Sequence, residues 1–156
     1  MVTYANWWHI MEQDLLAYAY KLLSRRAYTR LGMARKLSGK GEPENVETVL
    51  DRLTESGYLD DRAFAQNYIQ SRFANHPSGR RLLEMKLRAK GIPATAIREV
   101  LDEIKPEVEE AGARDLAKKK AAVLKNLEPI TRKRRIFQFL INRGFSPSIA
   151  GKFSDL

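Results

Sequence analysis

One helical segment ends and the next begins within Gly57-Tyr58-Leu59-Asp60-Asp61-Arg62-Ala63-Phe64-Ala65. Glycine accepts the left-handed backbone conformation with which many helices end, so Gly57 predicts a helix terminus. Asp60 is predicted to be the N-cap of the following helix, because an aspartate there accepts a hydrogen bond from an otherwise unpaired amide of the first turn. Asp61 places negative charge at the positive end of that helix dipole. The stretch therefore predicts a tight connection between two helical units.

The units on either side of this connection resemble each other. Around Gly41, Gly91 and Gly144, a leucine stands four residues before the glycine, a cation directly before it, and a proline two or three residues after it. The three glycines are 50 and 53 residues apart. In each copy the glycine is predicted to end one helix in the left-handed conformation and the proline to begin the next helix, where its missing N–H costs nothing. Repetition at such a period is typical of arrays of small helical units.

Apolar residues recur at helical spacing along nearly the whole chain, and strand signals are weak. We therefore predict an all-α fold, an elongated array of three tandem three-helix repeats, of which the third departs most from the pattern. The predicted boundaries are an N-terminal arm at 1–12 and repeats at 13–58, 59–105 and 106–156. A single compact helical bundle with coincidental repeats is the alternative. Among the predicted apolar faces are Val46, Val49, Leu50 and Leu53; Ile97, Val100, Leu101 and Ile104; and Leu116, Val123, Leu124, Leu127, Ile149, Phe153 and Leu156.

The composition points to a basic, cysteine-free protein. The 156 residues include 28 Lys and Arg against 19 Asp and Glu, for a net charge of +9. A basic chain of this size attracts polyanions or acidic proteins. The sequence has no run of about 18 apolar residues, so no membrane span is predicted. No secretory signal is apparent at the start. The absence of cysteine excludes disulfides and fits a reducing compartment, so we expect the protein to be cytoplasmic. We also expect it to be a monomer.

The sign of the charge follows the repeat. Residues 21–40 hold seven cations and no acid, 42–60 carry a net charge of −5, 72–90 carry +5, 91–110 carry −4 and 129–156 carry +5. The middle helix of each unit is therefore predicted to be basic, and the third helix to be acidic in the first two units. If the units stack, the middle helices form a discontinuous basic face that suits a phosphate backbone or an acidic protein groove. The alternative is solvated surface, with basic and acidic helices paired inside each unit.

The contact residues predicted from this charge count are all cations of the basic stretches. They are Arg25, Arg26, Arg35, Lys36, Arg72, Arg80, Arg81, Lys86, Arg88, Lys90, Arg132, Lys133, Arg134 and Arg135.

No catalytic constellation is recognisable. His9 and His76 are far apart in the sequence, and without cysteine a zinc site would need carboxylates in place of its usual ligands. Ser38-Gly39-Lys40-Gly41 superficially resembles a phosphate loop, but Ala34 stands where the first glycine belongs and no Ser or Thr follows Lys40. We therefore expect no enzymatic activity, no metal and no cofactor.

The stretch from Gly57 to Ala65, continued through Tyr68 and Ile69 to Arg72, strongly resembles the signature of the RecX family, bacterial modulators of the RecA recombinase. Lys86-Leu87-Arg88-Ala89-Lys90-Gly91-Ile92 is similar to that family's second unit, and the resemblance extends from about Asp14 to Phe153. It is weaker in the third unit and the N-terminal arm. The resemblance implies three tandem three-helix repeats. It also implies binding along the helical groove of the RecA–single-stranded-DNA filament, with restraint of its ATPase, strand-exchange and coprotease activities.

The residue pattern is also compatible with two other functions. Helices joined by a glycine turn, with basic second helices, are also typical of helix-turn-helix readers, so a DNA-binding protein that acts without RecA is the main alternative. A purely structural helical scaffold is the other.

Overall fold

The computed structural model describes the backbone of residues 4–156 and the side chains of residues 12–156. The predicted N-terminal arm, residues 1–12, therefore lies almost wholly outside the described side chains. Within the described range no strand is present and none of the helices is long and apolar enough to cross a membrane. The helices are α1 (Tyr4–Leu23), α2 (Arg30–Leu37), α3 (Pro43–Glu55), α4 (Asp61–Asn75), α5 (Arg80–Ala89), α6 (Ala94–Asp102), α7 (Pro106–Val123), α8 (Pro129–Asn142) and α9 (Pro147–Phe153).

Three separate hydrophobic cores divide these helices into three successive units. The first core is formed by α1–α3, the second by α4–α6 and the third by α7–α9. All the helix pairs that pack extensively belong to the same unit. The predicted array of three tandem three-helix repeats is confirmed, and the single-bundle alternative is wrong. Leu59, predicted to begin the second repeat, is buried in the first core.

Most of the predicted apolar faces are buried, with two exceptions in the third unit. Val123 is 77% exposed and Leu156 is 42% exposed, so their assignment to the core was wrong. Val123 is the last residue of α7, and the chain turns there so that Leu124 enters the core instead. Leu156 lies beyond the end of α9. The helical period thus fails at the last residue of α7 and beyond the end of α9.

Left-handed glycines occur at Gly57, Gly91 and Gly144, with φ of 74°, 79° and 87°. The prediction for Gly41 was wrong, because α2 ends at Leu37 and Gly41 does not have a positive φ. A Cβ atom on Gly41 would lie 2.5 Å from the Leu15 side chain. Glycine at position 41 therefore allows α1 to approach the turn closely.

The predicted helix starts follow the capping rules. The Asp60 carboxylate accepts a hydrogen bond from the Ala63 amide at 2.9 Å, which confirms it as the N-cap of α4. Pro43 and Pro147 occupy the first position of α3 and α9. Pro93 differs, since it is the N-cap residue of α6 rather than its first residue.

Successive units are joined by equivalent hydrogen bonds to the end of the next middle helix. The Thr29 hydroxyl, just before α2, donates to the Lys90 carbonyl oxygen at 2.8 Å. The Gly79 amide, just before α5, donates to the Arg143 carbonyl oxygen at 2.9 Å. Lys90 and Arg143 each directly precede a left-handed glycine. The turn at the repeat glycine therefore ends a helix and also accepts a hydrogen bond from the preceding unit.

The first amide of each of these middle helices is capped by an acid of the next unit. The Arg30 amide donates to the Asp61 carboxylate at 2.8 Å, and the Arg80 amide donates to Glu109 at 3.0 Å. Both acids lie in the first turn of the next unit's first helix. The two junctions thus repeat the same arrangement, which makes the units a regular row.

Candidate binding surface

The three middle helices α2, α5 and α8 expose corresponding sides. Each buries two residues one turn apart, and these are Met33 and Leu37, Leu83 and Leu87, and Ile136 and Leu140. The side opposite each buried pair carries Arg35 in α2, Met85 in α5 and Gln138 in α8, all exposed. Arg81 and Arg134 lie one turn before Met85 and Gln138. Each middle helix therefore presents an arginine on its solvent side, at one of two positions that lie one turn apart.

Most of the predicted contact residues have no acidic partner. In the part of the chain that the structure describes, no carboxylate oxygen lies within 4 Å of the charged nitrogens of the following residues. They are Arg25, Arg26, Arg35, Lys36, Arg72, Arg81, Lys86, Lys90, Arg132, Arg134 and Arg135.

Four predicted contact residues lie outside the middle helices. Arg25 and Arg26 occupy the turn after α1, Arg72 lies in the last turn of α4, and Lys90 is the C-cap of α5. The charge count along the sequence grouped them with the middle helices because it did not resolve where those helices begin and end.

Arg80 is committed to the junction between the second and third units. Its Nε lies 3.2 Å from the buried Glu109 carboxylate, and its Nη2 donates to the Ile104 carbonyl oxygen at 2.7 Å. Asp102 lies 3.8 Å from Nη1. These partners hold the Arg80 guanidinium against the next unit. Arg80 therefore stabilises the fold and is less available to a binding partner than the unpaired cations are.

Two more predicted contact residues form ion pairs at the surface. Arg88 pairs with Glu84 at 2.6 Å one turn earlier in α5, and Lys133 pairs with Asp155 at 2.7 Å. Exposed pairs of this kind contribute little to stability and exchange readily with other partners. Arg88 and Lys133 therefore remain accessible cations.

Pairing of basic and acidic helices inside a unit also occurs, mainly through cations that were not predicted to bind a partner. Arg30 of α2 contacts Glu47 at 2.7 Å and Asp51 at 2.8 Å in α3. Arg62 of α4 contacts Glu103 at 2.7 Å, at the end of α6. Hydrogen bonds from Gln66 and Arg62 lower the pKa of Glu103. The alternative of internal pairing thus applies to part of the charge.

Aromatic rings lie beside several cations that are outside the middle helices. Arg72 donates to the Tyr68 hydroxyl at 3.1 Å, and the Lys90 ammonium lies 5.3 Å from the centre of the same ring. In the third unit, Lys120 and Arg143 lie 5.3 and 5.7 Å from the centre of the Phe139 ring. Cations over aromatic faces are attracted to the ring quadrupole and held in place.

Lys120 and Arg143 were not among the predicted contact residues. Their sequence signals were the lysine run 118–120 and the cation that precedes each repeat glycine. The described residues contain no group of His, Asp or Glu that would hold a metal ion.

Comparison with protein-family models matches all three units. The models described as the first, second and third three-helix domains of RecX match residues 16–53, 60–101 and 107–153.

Similar proteins and solved structures agree with these matches. Proteins named regulatory protein RecX are 39% identical over 131 residues in Pelodictyon phaeoclathratiforme, covering 83% of this chain and 80% of that protein, and 36% identical over 140 residues in Thermus thermophilus, covering 90% and 89%. A crystal structure of regulatory protein RecX superimposes with a TM-score of 0.89 at 27% identity, covering 97% of this chain and 75% of the other. The crystal structure of RecX from Lactobacillus salivarius has the same fold, with a TM-score of 0.87 at 20% identity, covering 93% and 95%.

Proposed function

The chain belongs to the RecX family of regulatory proteins, and from this premise we propose that it binds the RecA–single-stranded-DNA filament and restrains its activities. The restrained activities are ATP hydrolysis, strand exchange and coprotease function. The basic surface of the middle helices lies along the filament groove, against acidic recombinase surface and phosphates of the single-stranded DNA.

The observation that supports this proposal is the row of unpaired cations on corresponding sides of successive units. Arg35, Arg81 and Arg134 belong to α2, α5 and α8, are exposed, and have no carboxylate within 4 Å among the described residues. A row of similar units suits a partner that is itself a repeating polymer, because several units engage it at once. Contacts that span neighbouring recombinase protomers favour one of their conformations and so oppose the cycling that ATP hydrolysis requires.

The test is a titration of the protein into the ATPase reaction of the cognate recombinase on single-stranded DNA. The variant Arg35→Glu/Arg81→Glu/Arg134→Glu reverses the charge of the three unpaired cations. The control, Lys105→Glu/Lys118→Glu/Lys125→Glu, makes the same change in net charge at three exposed positions outside the middle helices. Arg80 is left intact because its substitution would disturb the junction with Glu109.

We expect the first variant to need at least about tenfold more protein for half-maximal inhibition, and the control to shift it by less than about threefold. Equal effects of the two variants would show that only net charge matters. Wild-type protein that neither binds the filament nor changes its ATPase rate would overturn the proposal.

Sequence-specific DNA binding without RecA is less compatible with the geometry. A helix-turn-helix reader presents the N-terminal residues of its second helix to base edges. Here Thr29 and Gly79, the N-cap residues of α2 and α5, are buried against the next unit, whereas the start of α8 is exposed at Ile130. Gel shifts on naked duplex and on RecA filaments separate the two functions, and tight, sequence-specific duplex binding would favour the alternative.

We also propose that the protein acts in the cytoplasm, as a monomer, and by binding rather than by catalysing a reaction. A regulator of a cytoplasmic filament must share its compartment, and restraint through bound contacts requires no chemical step.

A further inference from the structure

An open groove runs between α5 of the second unit and the C-terminal end of α8 in the third. Its volume is about 580 Å³. Arg81, Met85 and Arg88 line it from α5, and Ile141 and Asn142 line it from α8. This volume is within the range of sites that accept several side chains of a ligand.

The groove is lined by apolar side chains, by two arginines and by one carboxylate, that of Glu84. Met85 is 55% exposed although its side chain is apolar, and Ile141 lies across the groove from it. Arg81 has no carboxylate within 4 Å among the described residues, and Arg88 contacts only Glu84 of its own helix there. The complementary ligand carries one large apolar side chain flanked by carboxylates.

A protein segment fits this chemistry better than a nucleic acid does. Single-stranded nucleic acids are held by bases stacked on aromatic rings, and no aromatic residue is among those described as lining this groove. Methionine is flexible and polarizable, and it adapts to apolar side chains of different shape.

The junction hydrogen bonds set the width of the groove before any ligand binds. The Gly79 amide donates to the Arg143 carbonyl oxygen at 2.9 Å, and the Arg81 amide donates to the Gly144 carbonyl oxygen at 3.2 Å. Both bonds tie the start of α5 to the turn that ends α8. A groove with fixed walls binds a ligand with less loss of conformational entropy than a mobile one.

Building on the proposed function, we propose that this groove receives a short acidic segment of the recombinase, with an apolar side chain of that segment on Met85 and Ile141. Carboxylates of the same segment pair with Arg81 and Arg88. The groove is then the place where protein, rather than DNA, is recognised. Its occupation connects the second and third units to one recombinase protomer.

The test compares Met85→Asp with Val123→Asp. Val123 is 77% exposed at the end of α7 and does not line the groove, so the control makes the same chemical change on an open surface outside the middle helices. Binding of each variant is measured by fluorescence anisotropy to recombinase filaments on labelled single-stranded DNA and to the same DNA without recombinase. Circular dichroism melting of both variants checks that the exposed substitutions leave the fold intact.

We expect Met85→Asp to weaken filament binding by at least about tenfold, and Val123→Asp to change it by less than about twofold. Equal effects of the two substitutions on filament binding would overturn the groove proposal and leave the proposed function standing. An equal loss on naked DNA would identify a nucleic acid as the occupant and also overturn it. Wild-type protein that fails to bind the filament would overturn both proposals.

A photocrosslinking residue at position 85 identifies the occupant directly. In complexes with the filament, mass spectrometry is expected to recover a recombinase peptide that contains at least two acidic residues next to the crosslinked site. Crosslinks confined to DNA, or to a basic recombinase peptide, would contradict the assignment.

Discussion

Asp61 accepts a hydrogen bond from the first amide of α2, in the preceding unit, at 2.8 Å. Burial raises the pKa of its carboxyl group, and the hydrogen bond from the Arg30 amide acts in the opposite direction. A carboxyl group whose folded-state pKa is raised is penalised in its ionised form. Its contribution to stability therefore falls as the pH rises through the folded-state pKa.

We predict that Asp61→Asn retains the junction, whereas Asp61→Ala weakens it. Asparagine keeps an oxygen that accepts from the Arg30 amide, while alanine leaves that amide unpaired at a cost of about 1–2 kcal/mol. Urea unfolding between pH 4 and 7 measures both, and the free energy of unfolding of Asp61→Asn relative to wild type is expected to rise with pH. A loss in Asp61→Asn as large as in Asp61→Ala would show that the charge itself is needed.

Substitution of two glycines distinguishes the cost of a strained backbone conformation from the cost of a packing clash. Gly57 has a φ of 74° with open space around its Cα, whereas a Cβ on Gly144 would clash with the Leu82 amide nitrogen. We expect Gly57→Ala to cost about 1 kcal/mol of unfolding free energy, and Gly144→Ala to cost about 3 kcal/mol because a clash is added. Gly39→Ala, with no atom within 4 Å and no positive φ, is the control. Thermal melts giving the same loss at Gly57 and Gly144 would contradict the role assigned to the junction.

At the scale of helices, Thr29 combines an N-cap with a junction contact. Its hydroxyl group accepts a hydrogen bond from the Gly32 amide at 3.0 Å and donates one to the Lys90 carbonyl oxygen at 2.8 Å. Ser146 caps α9 by accepting from the Ile149 amide at 3.2 Å, and among the described residues its hydroxyl forms no hydrogen bond with another unit. The two residues therefore differ in the number of elements that each stabilises.

We predict that Thr29→Val destabilises the protein by about 2 kcal/mol, since both hydrogen bonds are lost at a buried site. Ser146→Ala should cost about 1 kcal/mol, the usual value of a single cap. Amide hydrogen exchange is expected to increase at the start of α2 and around Gly91 in Thr29→Val, but only near α9 in Ser146→Ala. Exchange confined to α2 in Thr29→Val would mean that the bond to Lys90 does not stabilise the junction.

Local signals predicted the helices themselves but not the contacts between units. Asp60 as an N-cap, the left-handed Gly91 and Gly144, and the buried face of α3 follow from rules that act within a few residues. The Arg30 amide and Asp61 are 31 residues apart and belong to different units, so no local rule relates them. The same applies to the site: the cations can be read from the sequence, but only the fold shows that Arg80 is held by Glu109 while Arg81 is open.

At the scale of the whole molecule, the two ends of the array differ from its junctions. Gly41 occupies the position of Gly91 and Gly144, but Leu15 from α1 lies where a preceding unit would dock. At the other end, α8 begins earlier than α5 does, so that Lys133 holds the register position of Arg80 and its amide lies inside the helix rather than in the free first turn. Neither end therefore presents the half of a junction that would extend the row.

We accordingly predict that the protein is a monomer and does not polymerise head to tail. Sedimentation equilibrium should give a mass of 17.9 kDa at every concentration. The net charge of +9 opposes association at low salt, so the stringent condition is about 0.5 M salt, where charge repulsion between molecules is screened within a few ångströms. If neither end of the array can dock another copy, the mass is expected to be the same at low and at high salt. The obstacle to docking is then steric crowding and a missing hydrogen bond rather than charge repulsion. A mass that rises with concentration at high salt would show that the ends are complementary after all.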